Sequence, residues 1–218
     1  LTIQTPNGTK QQIKISGTVH DPARAPAWQE QTVYGYITLA TLAMLGEGVH
    51  PRSIEVAGLK AGMPMPPLAL QDEVSLGLSL HILDQTRKDL ATEGNPQPEH
   101  PAEQVLRNVG ATHGRLGKKT GTGFYDYDGK DKALWPHLLE LYPPASVQPA
   151  QQELIDRLLF VQANEAARCF EENVVRSVAD ANIGSIFGWG FAPFHGGALQ
   201  FINALGAKRF VERSRELA

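Results

Sequence analysis

Long apolar-patterned stretches alternate with short runs of glycine and proline, and the hydrophobic spacing is helical almost throughout. From about Trp28 to Gly46, Val33, Tyr34, Ile37, Leu39, Leu42 and Leu45 spread over most of a helix circumference, which predicts a buried helix. Gly46 and Gly48 offer its stop. Pro51–Lys60 is a short helix with Ser53 near its start, and Leu68–Asp89 resumes the period through Leu70, Val74, Leu78 and Ile82. Between them Ala61-Gly62-Met63-Pro64-Met65-Pro66-Pro67 must turn, because prolines this dense forbid helix and sheet alike. Glu93–Pro101 reads as a solvent loop, Ala102–Val109 as a short helix, and His113–Lys119 leads into an aromatic-bearing turn at Thr120–Tyr127. Only Leu1–Gly17 drops to a period of two, around Pro6-Asn7-Gly8. Asn-Gly supplies the positive-φ positions of a tight hairpin. A Pro-rich connector, His20–Pro26, follows it.

Beyond the break at Tyr142–Pro149 the order repeats. A long helix, Gln151–Asn173, precedes a short one at Ser177–Ile186, a glycine-rich turn at Gly188–Gly197 and another helix at Ala198–Ala204. The helix ending Met44-Leu45-Gly46-Glu47-Gly48-Val49 matches the one ending Phe170-Glu171-Glu172-Asn173-Val174. A duplicated helical unit is the natural reading, with the copies stacking their apolar faces. The expected architecture is all-α: a hairpin and connector over residues 1–27, a first helical unit over 28–142, and a second over 150–218.

Composition narrows function mainly by exclusion. A chain of 218 residues, 42% hydrophobic and 20% charged, has ample core for one large or two small domains. A net charge of −3 gives no electrostatic reason to expect nucleic acid or an anionic membrane. The longest apolar run, Val33–Leu45, is too short to span a bilayer, and no signal peptide opens the chain. The lone Cys169 cannot form an internal disulfide, which suggests a reducing, cytoplasmic setting. The first residue is Leu1 rather than Met, so the chain reads as a piece of something longer.

Candidate chemistry is sparse. Gly121-Thr122-Gly123 lacks the third glycine and the strand-turn-helix context of a dinucleotide fingerprint. Gly117-Lys118-Lys119-Thr120 resembles the end of a phosphate loop, but Thr112 stands where its first glycine belongs. Lys118 and Lys119 read as solvated surface that could also meet a ligand phosphate. None of the seven histidines has a metal-ligand spacing. His195, within the glycine-rich turn, reads as structural. No serine sits where a nucleophile elbow would put one, and no catalytic residue is assigned.

Three runs nevertheless resemble a known family. Gly114-Arg115-Leu116-Gly117-Lys118-Lys119-Thr120-Gly121-Thr122-Gly123-Phe124-Tyr125-Asp126-Tyr127 looks like the segment that closes the first helical domain of 3-hydroxyacyl-CoA dehydrogenases. Ala179–Gly197, after Asp156-Arg157 and Asn164-Glu165-Ala166, looks like the signature of the second helical domain in the multifunctional fatty-acid oxidation proteins. Gly62–Val74 resembles the matching turn of the first. One departure stands out: where the family's first helix opens with Asn-Arg, this chain has Gln31-Thr32, and Leu39-Ala40-Thr41 replaces Asn-Glu-Ala.

The resemblance implies the substrate-side, C-terminal part of an enzyme that oxidises 3-hydroxyacyl-CoA to 3-oxoacyl-CoA with NAD in fatty-acid β-oxidation. NAD and the catalytic pair would sit on a Rossmann domain or subunit for which residues 1–28 leave no room, so this chain alone is expected not to turn over. Implied partners are the acyl-CoA substrate, that NAD-binding domain, and a second copy in a homodimer. The implied substrate contacts are Gln31 at the acyl end and Lys118 and Lys119 at the CoA phosphates. Two rival readings are a helical dimerisation or docking scaffold that has lost ligand binding, and the helical domain of another NAD-dependent dehydrogenase. Phe124-Tyr125 and Trp189-Gly190-Phe191 argue against the second.

Overall fold

A computed structural model describes residues 2–4, 10–12, 31–94 and 98–217, and side chains from Leu39 onward within them. Two short strands, β1 (Thr2–Gln4) and β2 (Lys10–Gln12), pair antiparallel as the period-two stretch predicts. The expected Asn-Gly turn and the connector His20–Pro26 lie outside the described residues. Helices then dominate: α1 (Gln31–Gly46), α2 (Pro51–Lys60), α3 (Pro67–Val74), α4 (Leu76–Thr92) and α5 (Pro101–Leu106). After α5 the chain widens into a π-type turn at Arg107–Thr112. The remainder comprises β3 (Tyr125–Asp128), β4 (Asp131–Leu134), α6 (Leu138–Leu141), α7 (Gln151–Glu171), α8 (Val178–Trp189), α9 (Ala198–Leu205) and α10 (Ala207–Leu217).

Three features differ from the sequence expectation. The single helix expected over Leu68–Asp89 is two helices, broken at Ser75 (φ 86, ψ 122). The loop at Arg115–Gly117 crosses there, and the carbonyl of Leu116 accepts both the Leu76 N–H and the Ser75 hydroxyl at 3.0 Å. Tertiary hydrogen bonding thus overrides a continuous apolar period. The aromatic-bearing turn is in fact the entry to a β3–β4 hairpin, in register from Tyr125↔Leu134 to Asp128↔Asp131. Helix α10 was not anticipated. It is mostly charged, and one ring, Phe210, anchors it by stacking on Phe160 at 4.6 Å.

Packing explains the burial of α1. It lies against α5 and α7, with Leu42, Met44 and Leu45 in a core shared with α2, α3 and β3. Helix α7 is common to all three hydrophobic clusters. Leu154 and Leu158 join the first, Leu159 and Ala166 the second with Phe191, and Phe160 and Ala163 the third with Phe210.

The repeat is visible in the backbone. Left-handed positions recur in order: Gly48 and Asn173 after the long helices, Gly62 and Gly190 after the short ones, Ser75 and Gly206 before the last. Ser75 and Gly206 have nearly the same geometry, φ 86, ψ 122 and φ 88, ψ 129. The N–H of Val49 bonds Met44, and that of Val174 bonds Cys169, each five residues back at 2.9 Å, so both helices end alike.

Candidate functional site

The segment 114–135 wraps over α3 and is held from both sides. Asp72, buried near the end of α3, accepts the N–H of Phe124 at 2.8 Å through Oδ1. Its Oδ2 accepts the N–H of Tyr125 and the hydroxyl of Tyr127, both at 2.9 Å. Gly123 makes this possible: a Cβ there would stand 2.0 Å from Asp72 Oδ1. Burial pushes the Asp72 carboxyl above its usual range, and the three donors pull against that shift. The Tyr125 and Tyr127 hydroxyls are pushed up by burial first, then by Glu55 and Asp72 respectively.

Arg115 supplies the complementary anchor. Its Nε donates to the Gly123 carbonyl at 2.6 Å, and Nη2 to the Tyr125 carbonyl at 3.1 Å and to Asp126 Oδ1. The guanidinium lies 4.2 Å from the Trp135 ring centroid, a cation–π contact. One carboxylate collects the segment's N–H groups and one guanidinium its carbonyls, so the turn between them is rigidly presented.

That turn carries two of the predicted site residues. Lys118–Thr120 is a single 3₁₀ turn bracketed by Gly117 and Gly121, both at positive φ. Lys118 Nζ pairs with Glu73 Oε1 on α3, while Lys119 is exposed without an ion pair among the described residues. Gln31 is the first residue of α1, and its side chain lies outside the described ones. The structure therefore brings Lys118 and Lys119 together on one turn and does not relate Gln31 to them. Two ammonium groups there can bind an anion such as a phosphate, with Glu73 competing for one of them. Sequence reasoning overlooked Glu55, Asp72 and Arg115. Asp72 lies 52 residues from Phe124, so no local spacing could have paired them.

In the second unit the motif residues are engaged in ion pairs. Arg157 pairs with Glu47 at 2.7 Å and Glu153 at 3.1 Å, and Asp156 with Arg213 at 2.8 Å. Glu165 pairs with Arg168 at 3.2 Å. His195 sits among Phe191, Phe194 and Phe201, with ring centroids 4.5 to 6.0 Å away, and burial lowers its pKa, so near neutral pH it packs as an uncharged ring. The two Gly/Pro turns meet: a Cβ on Gly62 would lie 2.6 Å from both Ala192 Cβ and Phe194 Cε1, and one on Gly190 3.2 Å from Pro64.

Among the described residues no three His, Cys, Asp or Glu side chains are grouped to hold a metal, and no helix is long and apolar enough to cross a membrane. The described strands form two antiparallel pairs, so these residues contain no parallel strand-turn-helix seat that NAD would fit.

A crystal structure of 3-hydroxybutyryl-CoA dehydrogenase from Escherichia coli has the same fold, with a TM-score of 0.58 at 19% identity over 85% of this chain. The chain spans 55% of that protein's length. Residues 31–127, from the start of α1 to β3, match the family model of the 3-hydroxyacyl-CoA dehydrogenase C-terminal domain. That stretch contains Asp72, Arg115 and the lysine turn, so the anchored segment lies inside the part of the chain that is similar to that domain.

Proposed function

We propose that the chain is the substrate-side region of an NAD-dependent 3-hydroxyacyl-CoA dehydrogenase, an oxidoreductase of fatty-acid β-oxidation in the cytoplasm. The observation that carries this reading is the family match over the segment whose anchors present Lys118 and Lys119 on one turn. In this reading residues 28–142 and 150–218 are two related helical units following a hairpin and connector at 1–27. NAD and the acid–base machinery reside on a separate NAD-binding domain, and the protein is a homodimer. The two lysines meet CoA phosphates, and Gln31 reaches toward the acyl end. Calorimetric titration with a 3-hydroxyacyl-CoA, with and without NAD, tests this. Saturable binding that falls when both lysines are replaced by alanine supports it, and unchanged affinity in that double variant removes the lysines from the site.

A second reading, a docking scaffold without ligand binding, is favoured by α8. Ile183 and Phe187, one turn apart, are 58% and 86% exposed, and Phe194 in the turn that follows α8 is 70% exposed. An apolar surface of this kind ordinarily marks a contact. Acyl-CoA binding separates the readings, since both include a dimer: a protein that binds no acyl-CoA and whose dimer Phe187→Asp converts to monomer in sedimentation velocity supports the scaffold.

A further inference from the structure

Glu55 differs from the other buried acids. Glu103 pairs with Arg87, Glu165 with Arg168, and Asp72 accepts three hydrogen bonds. Glu55 is 6% exposed, and among the described residues it has no ion pair. Its Oε1 accepts the N–H of Leu68 in the first turn of α3 at 2.7 Å. Its Oε2 is buried without a hydrogen-bond partner. A carboxylate oxygen left in that state carries a desolvation cost that protonation removes.

The repeat shows what this position requires. In the second unit Ser185 Oγ accepts the N–H of Ala198, the first residue of α9, at 3.0 Å. Both caps reach thirteen residues forward from the short helix to the next one. The second-unit cap is neutral and fully satisfied, since Ser185 also donates to the Asn182 carbonyl at 2.8 Å. A neutral group therefore suffices at this junction.

We propose that Glu55 is carried as the neutral carboxylic acid, with its proton on the buried Oε2. Release of that proton to water as the pH rises weakens the seam between α2, α3 and β3. The groups around it pull in both directions. The Leu68 and Ala69 N–H groups at the start of α3, the Tyr125 hydroxyl of β3 and Lys132 of β4 favour the anion, and Lys132 Nζ lies 4.8 Å from the Tyr125 ring centroid. Arg52 of α2 acts on Tyr125, and Asp72 of α3 adds negative charge beside it. Burial outweighs the favourable contacts and pushes the Glu55 carboxyl up to about 7. A folded-state value above the unfolded one means that the stabilisation is complete below the ordinary carboxylate range and is lost as the pH rises through about 7.

Two measurements on the 218-residue chain test this. The first is the melting temperature from pH 5.5 to 8.5 for the wild type and Glu55→Gln, whose amide is a permanently neutral isostere. The wild type should lose on the order of 5 °C across that range, while Glu55→Gln stays near the wild type's acid-side value and loses much less. The second is a ¹³C NMR titration of the glutamate carboxyls, which should place Glu55 near 7. A Glu55 resonance titrating in the usual carboxylate range, or a pH slope in Glu55→Gln equal to that of the wild type, overturns the proposal. If Glu55→Gln fails to fold, the wild-type NMR titration decides alone.

Discussion

At the scale of the residue, Asp72 and Gly123 form one unit. A methyl group on Gly123 would overlap the carboxylate that Phe124 and Tyr125 depend on. Gly123→Ala should therefore cost about 3 kcal/mol in urea denaturation, the upper range for overpacking a buried site. Asp72→Asn keeps the shape but turns one acceptor into a donor facing buried N–H or O–H groups, and should cost about 2 kcal/mol. The double variant should fall short of the sum, since both changes break the same seam. These anchors could not be read from sequence because their partners are far apart along the chain. Lys118 and Lys119 stand out in the sequence because the motif around them is continuous, and their role there is a proposal. What that motif does not reveal is Glu73, which engages Lys118 from a different helix. Lys119→Ala should accordingly weaken acyl-CoA binding severalfold in calorimetry. Lys118→Ala should weaken it less, because that ammonium is already shared with a carboxylate.

At the scale of the element, helices with strong periodic patterns were legible and irregularities were not. Pro51–Lys60 has the predicted bounds, and Gln151–Glu171 falls two residues short of the Asn173 end. The break at Ser75 escaped because its cause, the crossing loop at Leu116, is non-local. The β3–β4 hairpin did have a local signal. Asp128-Gly129 follows the alternation Tyr125-Asp126-Tyr127, and Gly129 takes φ 60 at the turn. Helix α10 gave little to read, with a single buried ring among charges. The recurrent left-handed positions permit a graded test. Gly206→Ala meets no neighbour within 4 Å and should cost about 1–2 kcal/mol from backbone strain alone. Gly62→Ala adds overlap with Ala192 and Phe194, and should cost at least about 1 kcal/mol more in the same denaturation assay.

At the scale of the whole molecule, α7 ties the two halves together. Its Leu154 and Leu158 complete the first core while its Phe160 and Ala163 build the third. The Arg157–Glu47 pair closes the same seam from the solvent side. A chain cut between the halves near Pro143 should therefore expose part of the first core, and residues 31–142 alone should melt well below the intact chain.

The substrate-side account rests most directly on whether this chain recognises an acyl-CoA. The deciding measurement is a calorimetric titration of the 218-residue protein with a 3-hydroxyacyl-CoA, with and without NAD and then with the NAD-binding domain of a related dehydrogenase added. The account predicts binding on the order of micromolar, unaffected by NAD alone and weakened in the Lys118→Ala, Lys119→Ala double variant. A well-folded sample that binds no acyl-CoA under any of these conditions would contradict it.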